Sequence, residues 1–387
     1  MAELATTPPS TTARPPLTGI KVVEIGRYIA APYAGRLLAD LGAEVVKVES
    51  ADGDPMRRWE SAGRPYSPQF AAYNRGKSSI VIDLATDAGR ERLLTLVRGS
   101  DVLLENFRPG VMARLQLPAD RLLAENSRLI YCAITGFGPT GPYSTRPSYD
   151  TVISAMSGLY SLLLPADDPS PVGPAFSDLL SGLFACQGIL AALHHRDVTG
   201  QGQILGVSML GSVLDVVGEA VTSVAESGRG IQPNTRQRRA QAYGATASDG
   251  LSFIVHLSVP DKFWHALCAA MDRPDWLDDP RLATRGDRYT NYRVLSGLVR
   301  EQAATRTRAE WFERFLANDL PHAPLNALDQ LADDPQVRAM GLVRSNPMPD
   351  GRPMIGTAPP VTFSASPLVP AGPAPALDSR EPAVTPA

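Results

Sequence analysis

Ile20-Lys21-Val22-Val23-Glu24-Ile25 is a short apolar run bounded by Gly19 and Gly26, and it reads as a strand. Pro32 opens an apolar-periodic segment through Tyr33, Leu37, Leu38 and Leu41 that stops at Gly42, the pattern of a helix. Ala43 to Val48, with Glu49 at its end, is a second strand. Strand, helix, strand in this order calls for a parallel sheet. The pattern continues with strands at 79–84, 101–105 and 129–134, a helix from Asp87 to about Val97 and a short helix near Pro109. The first part of the chain is therefore expected to be α/β.

That region ends on a long helix inside Gly173 to Gly202 and a strand near 203–207. Ser177 reads as the N-cap, and Leu179, Leu180, Leu183, Phe184, Ile189, Leu190 and Leu193 recur at helical spacing. His194, His195 and Arg196 crowd the last turn before Gly200-Gln201-Gly202. The helix is expected to be buried, with one carboxylate, Asp178, in its first turn. The helix dipole favours an ionised group there by about 0.3–1 kcal/mol. Asp178 is either a helix-capping group or a nucleophile, and this stretch alone leaves both open.

Beyond it the texture changes. Ser212 to about Ala225 is helical, 226–240 is a connector containing arginine and glycine, and 251–257 is a strand. Helical segments follow at 260–271, 287–304 and 308–317. The division expected is a disordered tail over 1–16, a large α/β domain over 17–225 and a linker over 226–240. A small α+β domain over 241–325, a return to the large domain over 326–366 and a Pro/Ala-rich disordered tail over 367–387 complete it. A length of 387 residues with 44% hydrophobic residues suits two such units. A net charge of −3 gives no basic field for nucleic acid or an anionic membrane. No apolar run is expected to reach the roughly 18–20 residues of a membrane span, and no signal core stands out. Cys132, Cys186 and Cys268 are scattered and read as buried reduced thiols, so a cytoplasmic location is expected.

Missing motifs disfavour several chemistries. The turn Gly26-Arg27-Tyr28-Ile29-Ala30-Ala31-Pro32 lacks the Gly-x-Gly-x-x-Gly of a dinucleotide site. Gly76-Lys77-Ser78 lacks the earlier glycine of a phosphate loop, and there is no Gly-x-Ser-x-Gly elbow. The five histidines show no His-Glu-x-x-His spacing, so no catalytic metal is expected. What remains is a set of loops at 53–57, 73–78, 105–110 and 135–143. They and the residues just after them supply cations for phosphates (Arg57, Arg75, Lys77, Arg108, Arg114) and flat rings for a base (Phe107, Phe137). Ligands of open α/β sheets bind beyond the strand carboxyl ends, which points to a phosphorylated nucleotide.

Leu17-Thr18-Gly19-Ile20-Lys21-Val22-Val23-Glu24 with Ala31-Pro32, Gly42-Ala43-Glu44-Val45-Val46-Lys47-Val48-Glu49, Asn74-Arg75-Gly76-Lys77-Ser78, Glu105-Asn106-Phe107-Arg108-Pro109-Gly110 and Gly200-Gln201-Gly202-Gln203 resemble the family III coenzyme A transferases. These include formyl-CoA transferase, carnitine-CoA transferase and the α-methylacyl-CoA racemases, and the resemblance covers nearly the whole chain between the tails. It implies a Rossmann-like, CoA-binding large domain with a parallel sheet, a smaller α+β domain and an interlocked homodimer. It implies no cofactor beyond the CoA thioester substrate and no metal. Asp178 falls where the transferases carry their nucleophile. Coenzyme contacts fall on Ala30, Asp83, Asn106, Phe107, Arg114, Gly136 and Phe137, beside the Arg57, Arg75 and Lys77 read from the loops. Ile29 stands where formyl-CoA transferase has glutamine, and its glycine-run loop has no counterpart near 241–250, which speaks against formate or oxalate. Tyr149 stands where the racemases place a histidine before the aspartate at Asp150, and tyrosine is a poor base near neutral pH. Transfer of CoA from an acyl-CoA to a carboxylic acid is the activity implied. A racemase-type isomerase and a non-catalytic CoA-binding subunit are the alternatives.

Overall fold

The computed structural model describes residues 14–61, 63–165, 167–258, 260–348, 351–368 and 372–379. They fall into two compact units, one within Met1–Tyr160, Pro169–Ser227 and Pro335–Ala387, the other within Ser161–Asp168 and Gly228–Asp334. The short segment Ser161–Asp168 thus groups with the second unit, although the sequence puts it inside the first. Residues 1–13 of the expected N-terminal tail and 369–371 and 380–387 of the C-terminal one lie outside the described residues.

In the first unit the strands are β1 (Lys21–Glu24), β2 (Glu44–Glu49), β3 (Ser78–Val81), β4 (Val102–Glu105), β5 (Ile130–Thr135) and β6 (Gln203–Ser208). They form one parallel sheet in the order β3-β2-β1-β4-β5-β6. Its helices are α1 (Ala30–Asp40), α2 (Pro68–Asn74), α3 (Asp87–Arg98), α4 (Val111–Arg114), α5 (Ala119–Glu125) and α6 (Asp150–Met156). After α7 (Leu159–Leu163), whose residues from Ser161 on group with the second unit, come α8 (Phe176–Thr199), α9 (Met209–Val216) and α10 (Gly218–Ser227). Strands covered on both faces need unbroken apolar runs, and Val102, Leu103 and Leu104 are all fully buried. One apolar core joins Val23, Val46, Ile80 and Leu103 of the sheet to Leu93 and Val97 of α3.

The helix starts are chemically distinct. Ser67 caps α2 by accepting from the Phe70 N–H at 2.9 Å, and Thr86 caps α3 from Gly89 at 3.0 Å. Helix α8 ends where Gly200 takes φ +76°, a left-handed turn that favours glycine. It packs tightly on α1: a Cβ at Gly182 would stand 2.7 Å from the Ala30 carbonyl oxygen. At 24 residues α8 is long and apolar enough to cross a membrane by length and composition, unlike what the sequence suggests at first sight. Its buried face carries Ser177, Ser181, Cys186, Ile189 and Arg196, and it packs on α1, β5 and β6. It is not buried all round, as Leu183 and Leu190 face outward.

The second unit contains α11 (Thr235–Ala240), the antiparallel sheet β7 (Ala242–Thr246), β8 (Ser252–His256), β9 (His322–Pro324), and helices α12 (Asp261–Ala270), α13 (Arg285–Thr290), α14 (Tyr292–Ala303) and α15 (Arg308–Ala317). Trp264, Trp276, Trp311, Phe253 and Phe315 fill its core. The expected linker holds α11. β7 turns Tyr243 and Ala245 into this core and pairs with β8, Gly244 opposite Ile254.

After α16 (Pro335–Ala339) and the hairpin of β10 (Val343–Pro347) and β11 (Pro353–Thr357), the chain comes back to the sheet. Residues 372–379, expected to be disordered, are held there. The Val81 N–H donates to Asp378 Oδ1 at 2.9 Å, Ser79 N–H to Ser379 Oγ at 3.2 Å, and Ala374 is buried. β3 is an edge strand, and these bonds cover its unpaired groups.

Candidate active site

The strand order reverses between β1 and β4, so their following loops diverge and leave a crevice at the carboxyl ends. A cleft of about 380 Å³ lies there, with Gly26, Ser50, Asp83 and Phe107 in its walls. Asn106 joins its two sides: its Oδ1 accepts from the Arg27 N–H at 2.9 Å and its Nδ2 donates to the Arg27 carbonyl at 2.8 Å. Of the residues predicted to contact the coenzyme, Asp83 and Phe107 line the cleft, while the Asn106 amide is taken up in tying loops together. Arg114 is exposed in the last turn of α4, whose Val111 is in the cleft wall. Arg27, also exposed, stands over the Phe107 ring at 5.9 Å.

Arg57, Arg75 and Lys77 require a correction. All three are buried in ion pairs instead of being presented to a phosphate. Arg57 grips Glu49 through two nitrogens at 2.8 and 2.6 Å and donates to the Pro375 carbonyl. Arg75 makes the same two-point contact with Asp40 at 3.2 and 2.8 Å. Lys77 Nζ donates to Glu24 Oε2 at 2.7 Å, Pro32 O and Asn74 Oδ1. Burial pulls its ammonium down to about 8 against the pull of Glu24. A buried cation whose donors are already engaged has no free charge for a ligand. Exposed cations near the cleft include Arg27, Arg108 and Arg114. Arg27 was missed because a cation directly after a strand looks like any turn residue.

The buried ions shape the site indirectly. Lys47 joins Glu24 Oε1 at 3.0 Å, Asp54 Oδ2 at 3.1 Å and the Gly26 carbonyl at 2.7 Å. Asp54 in turn accepts from the Tyr28 N–H at 3.2 Å, and Tyr28 sits at φ +63°, a conformation costly for a residue with a Cβ. Its ring meets Trp59 at 6.1 Å and Tyr149 at 6.0 Å.

Asp178 lies in the first turn of α8, half-buried. Ser177 is not the cap. The helix starts one residue earlier, and Ser177 donates both its N–H (2.7 Å) and its hydroxyl (2.9 Å) to Asp150 Oδ1, from the start of α6. Asp150 therefore takes over the capping that the sequence gives to α8 itself. Burial first, then the Asp150 charge, push Asp178 up to about 7. The dipole's preference for the ionised form is outweighed, since loss of solvent around a carboxylate is the larger effect. Tyr73 is near enough that the Asp178 charge, after burial, pushes its phenol up.

Ala30 starts α1 and is packed under Gly182, one turn along α8 from Asp178. Gly136 follows β5, and any Cβ there would meet Ser148 Oγ at 2.0 Å, two residues before Asp150. Phe137 leans edge-on against Tyr143 at 5.9 Å. Ala30, Gly136 and Phe137 are therefore not in the wall of the 380 Å³ cleft. Asp150 as the cap of α8 and Tyr73 beside Asp178 leave no local signal, since both depend on helix packing.

A parallel sheet with a cleft at its reversal point and exposed arginines around it is the arrangement of an α/β protein that binds a phosphorylated nucleotide coenzyme. The model of CoA-transferase family III matches residues 17–381. The succinate–glutarate CoA-transferase of Agrobacterium fabrum is 34% identical over 95% of this chain and 94% of its own. A solved CaiB/BaiF family protein from Brucella suis superposes with a TM-score of 0.84 at 33% identity, covering 95% of this chain and 97% of that one. An aspartate-to-alanine variant of a Mycobacterium tuberculosis protein superposes with a TM-score of 0.83 at 29% identity, covering 95% and 97%. The chain belongs to CoA-transferase family III and is a CoA-transferase.

Proposed function

We propose that this enzyme moves CoA from an acyl-CoA to a free carboxylic acid with Asp178 as nucleophile. The Asp178 carboxylate attacks the donor carbonyl, the C–S bond breaks, and a mixed anhydride forms as CoA thiolate leaves. The thiolate attacks the Asp178 carbonyl, releasing the donor acid and leaving an aspartyl-CoA thioester. The acceptor carboxylate displaces thiolate from that thioester. Thiolate then attacks the acceptor carbonyl, giving the new acyl-CoA and free Asp178. Each step exchanges carboxyl derivatives of similar reactivity, so positioning carries most of the catalysis.

The observation that carries this reading is the half-buried Asp178, with its pKa near 7, on a helix capped from outside by Asp150. A carboxylate disfavoured as an ion is a better nucleophile once ionised. The nucleotide end of CoA would take the cleft by Asp83 and Phe107, with Arg27, Arg108 and Arg114 for its phosphates. A racemase needs a second base, and Tyr149 in that place is a poor one. Cytoplasmic location and an interlocked homodimer complete the proposal.

Asp178→Asn keeps the shape and removes the nucleophile. Turnover with succinyl-CoA and glutarate, the acid pair of the Agrobacterium relative, and with a wider panel of acyl-CoAs and acids, should fall by several orders of magnitude while CoA binding persists. Hydroxylamine should modify Asp178 of the wild type only after incubation with a productive donor. An Asn variant that transfers CoA at a near wild-type rate would end this mechanism.

A further inference from the structure

Glu105 is the last residue of β4, and its carboxylate is not used by the mechanism. It is 4% exposed. Its Oε2 accepts the backbone N–H of Phe107 at 2.5 Å, and its Oε1 accepts the hydroxyl of Tyr131, on β5, at 3.0 Å. Burying a carboxylate without a cation is expensive, and a neutral side chain would serve the core at less cost. The bond to Phe107 gives a reason for the charge. An ionised acceptor holds an N–H more tightly than a neutral one. The loop from Glu105 to Phe107 is thus fixed twice: Asn106 is tied to Arg27 across the cleft, and Phe107 is held from beneath by Glu105.

We propose that Glu105 is the positioning residue of the coenzyme cleft, its carboxylate setting the place of the Phe107 ring against which the nucleotide of CoA lies. This rests on the reading that the cleft takes CoA. The ionisable groups facing Glu105 from β5 are Tyr131 and Cys132, both neutral, with burial pushing the Tyr131 phenol well above its usual range and the Cys132 thiol up to about 12. On β1 and β2, Glu24 and Lys47 are paired with each other, and Lys77, directly before β3, is paired with Glu24. Arg27 stands at the Phe107 ring, and Arg108 and Arg114 follow in the same loop and α4. Burial pushes Glu105 up to about 7, opposed by the bonds from Phe107 and Tyr131, and no charged side chain is among the causes. The carboxylate therefore protonates as pH falls through neutrality, and its hold on Phe107 weakens.

CoA affinity measured by calorimetry between pH 6 and 8.5 tests this. The wild type should lose about tenfold as pH falls, with its midpoint near 7, in keeping with a hydrogen bond to a charged group. Glu105→Gln should have the weaker affinity throughout and lose the part of the slope that Glu105 supplies, keeping that of the coenzyme phosphate, which titrates near 6, and of Asp178. Tyr131→Phe removes a donor that favours the ionised form, so its midpoint should move to higher pH. That shift is not expected if Glu105 merely fills the core, and it decides the matter if Glu105→Gln does not fold. A Glu105→Gln variant that tracks the wild type in affinity and slope, or an unmoved midpoint in Tyr131→Phe, would overturn the proposal. Wild type that binds no CoA at any pH would instead overturn the cleft reading, and this inference with it.

Discussion

At the scale of single residues the molecule holds several charges where burial disfavours them. Asp178 costs stability as well as being the proposed nucleophile. Its carboxyl titrates near 7 when folded and near 3.9 in an unfolded chain, so the native state binds the proton more tightly. Stability from this group is complete below about pH 4 and is lost as pH rises through 7. Asp178→Asn is free of that loss. Its thermal midpoint should exceed the wild type's by roughly 3 °C or more at pH 8 and approach it at pH 5. A wild type that is the more stable of the two at pH 8 would mean the ionised carboxylate is favoured after all. Arg57, Arg75 and Lys77 were legible as cations. That each had a buried carboxylate waiting was not, because Asp40 and Arg75 are far apart in the chain and meet only when α1 and α2 pack.

At the scale of elements, the contact of α1 with α8 positions the first turns of α8, where Asp178 stands. Gly182 allows it. An added Cβ would lie 2.7 Å from the Ala30 carbonyl oxygen and 2.9 Å from the Tyr33 ring, and backbone on that side cannot move aside cheaply. Gly182→Ala should therefore push the helices apart, lowering stability by about 1–3 kcal/mol in denaturant unfolding and reducing turnover with it. An unchanged unfolding midpoint would show that the helices absorb the methyl. Helix α8 itself was legible from its apolar repeat and its Gly200 stop. Its cap was not, because Asp150 comes from another helix.

At the scale of the whole molecule, α8 leaves Leu183 and Leu190 exposed, and Val152 and Met156 of α6 and Ile204 of edge strand β6 are exposed too. Apolar side chains left uncovered on several elements suit an interface, and a second copy of the chain is the partner proposed. Sedimentation should give twice the 41.4 kDa chain mass at micromolar concentration. A stable monomer would remove the interlocked assembly.

What the sequence determined by itself is the α/β order of the first unit. Apolar runs of strand length, helical periods and glycine stops are local signals, and each survives packing because the sheet needs what the pattern supplies. Its family motifs were legible for the same reason, as contiguous stretches. Only the tertiary structure decided the use of the charges, the capping of α8 by Asp150, the place of Tyr73 and the ordering of 372–379 along β3. In each of these a side chain or backbone group is satisfied by a partner distant in the chain. A partner of that kind exists only after the elements have packed.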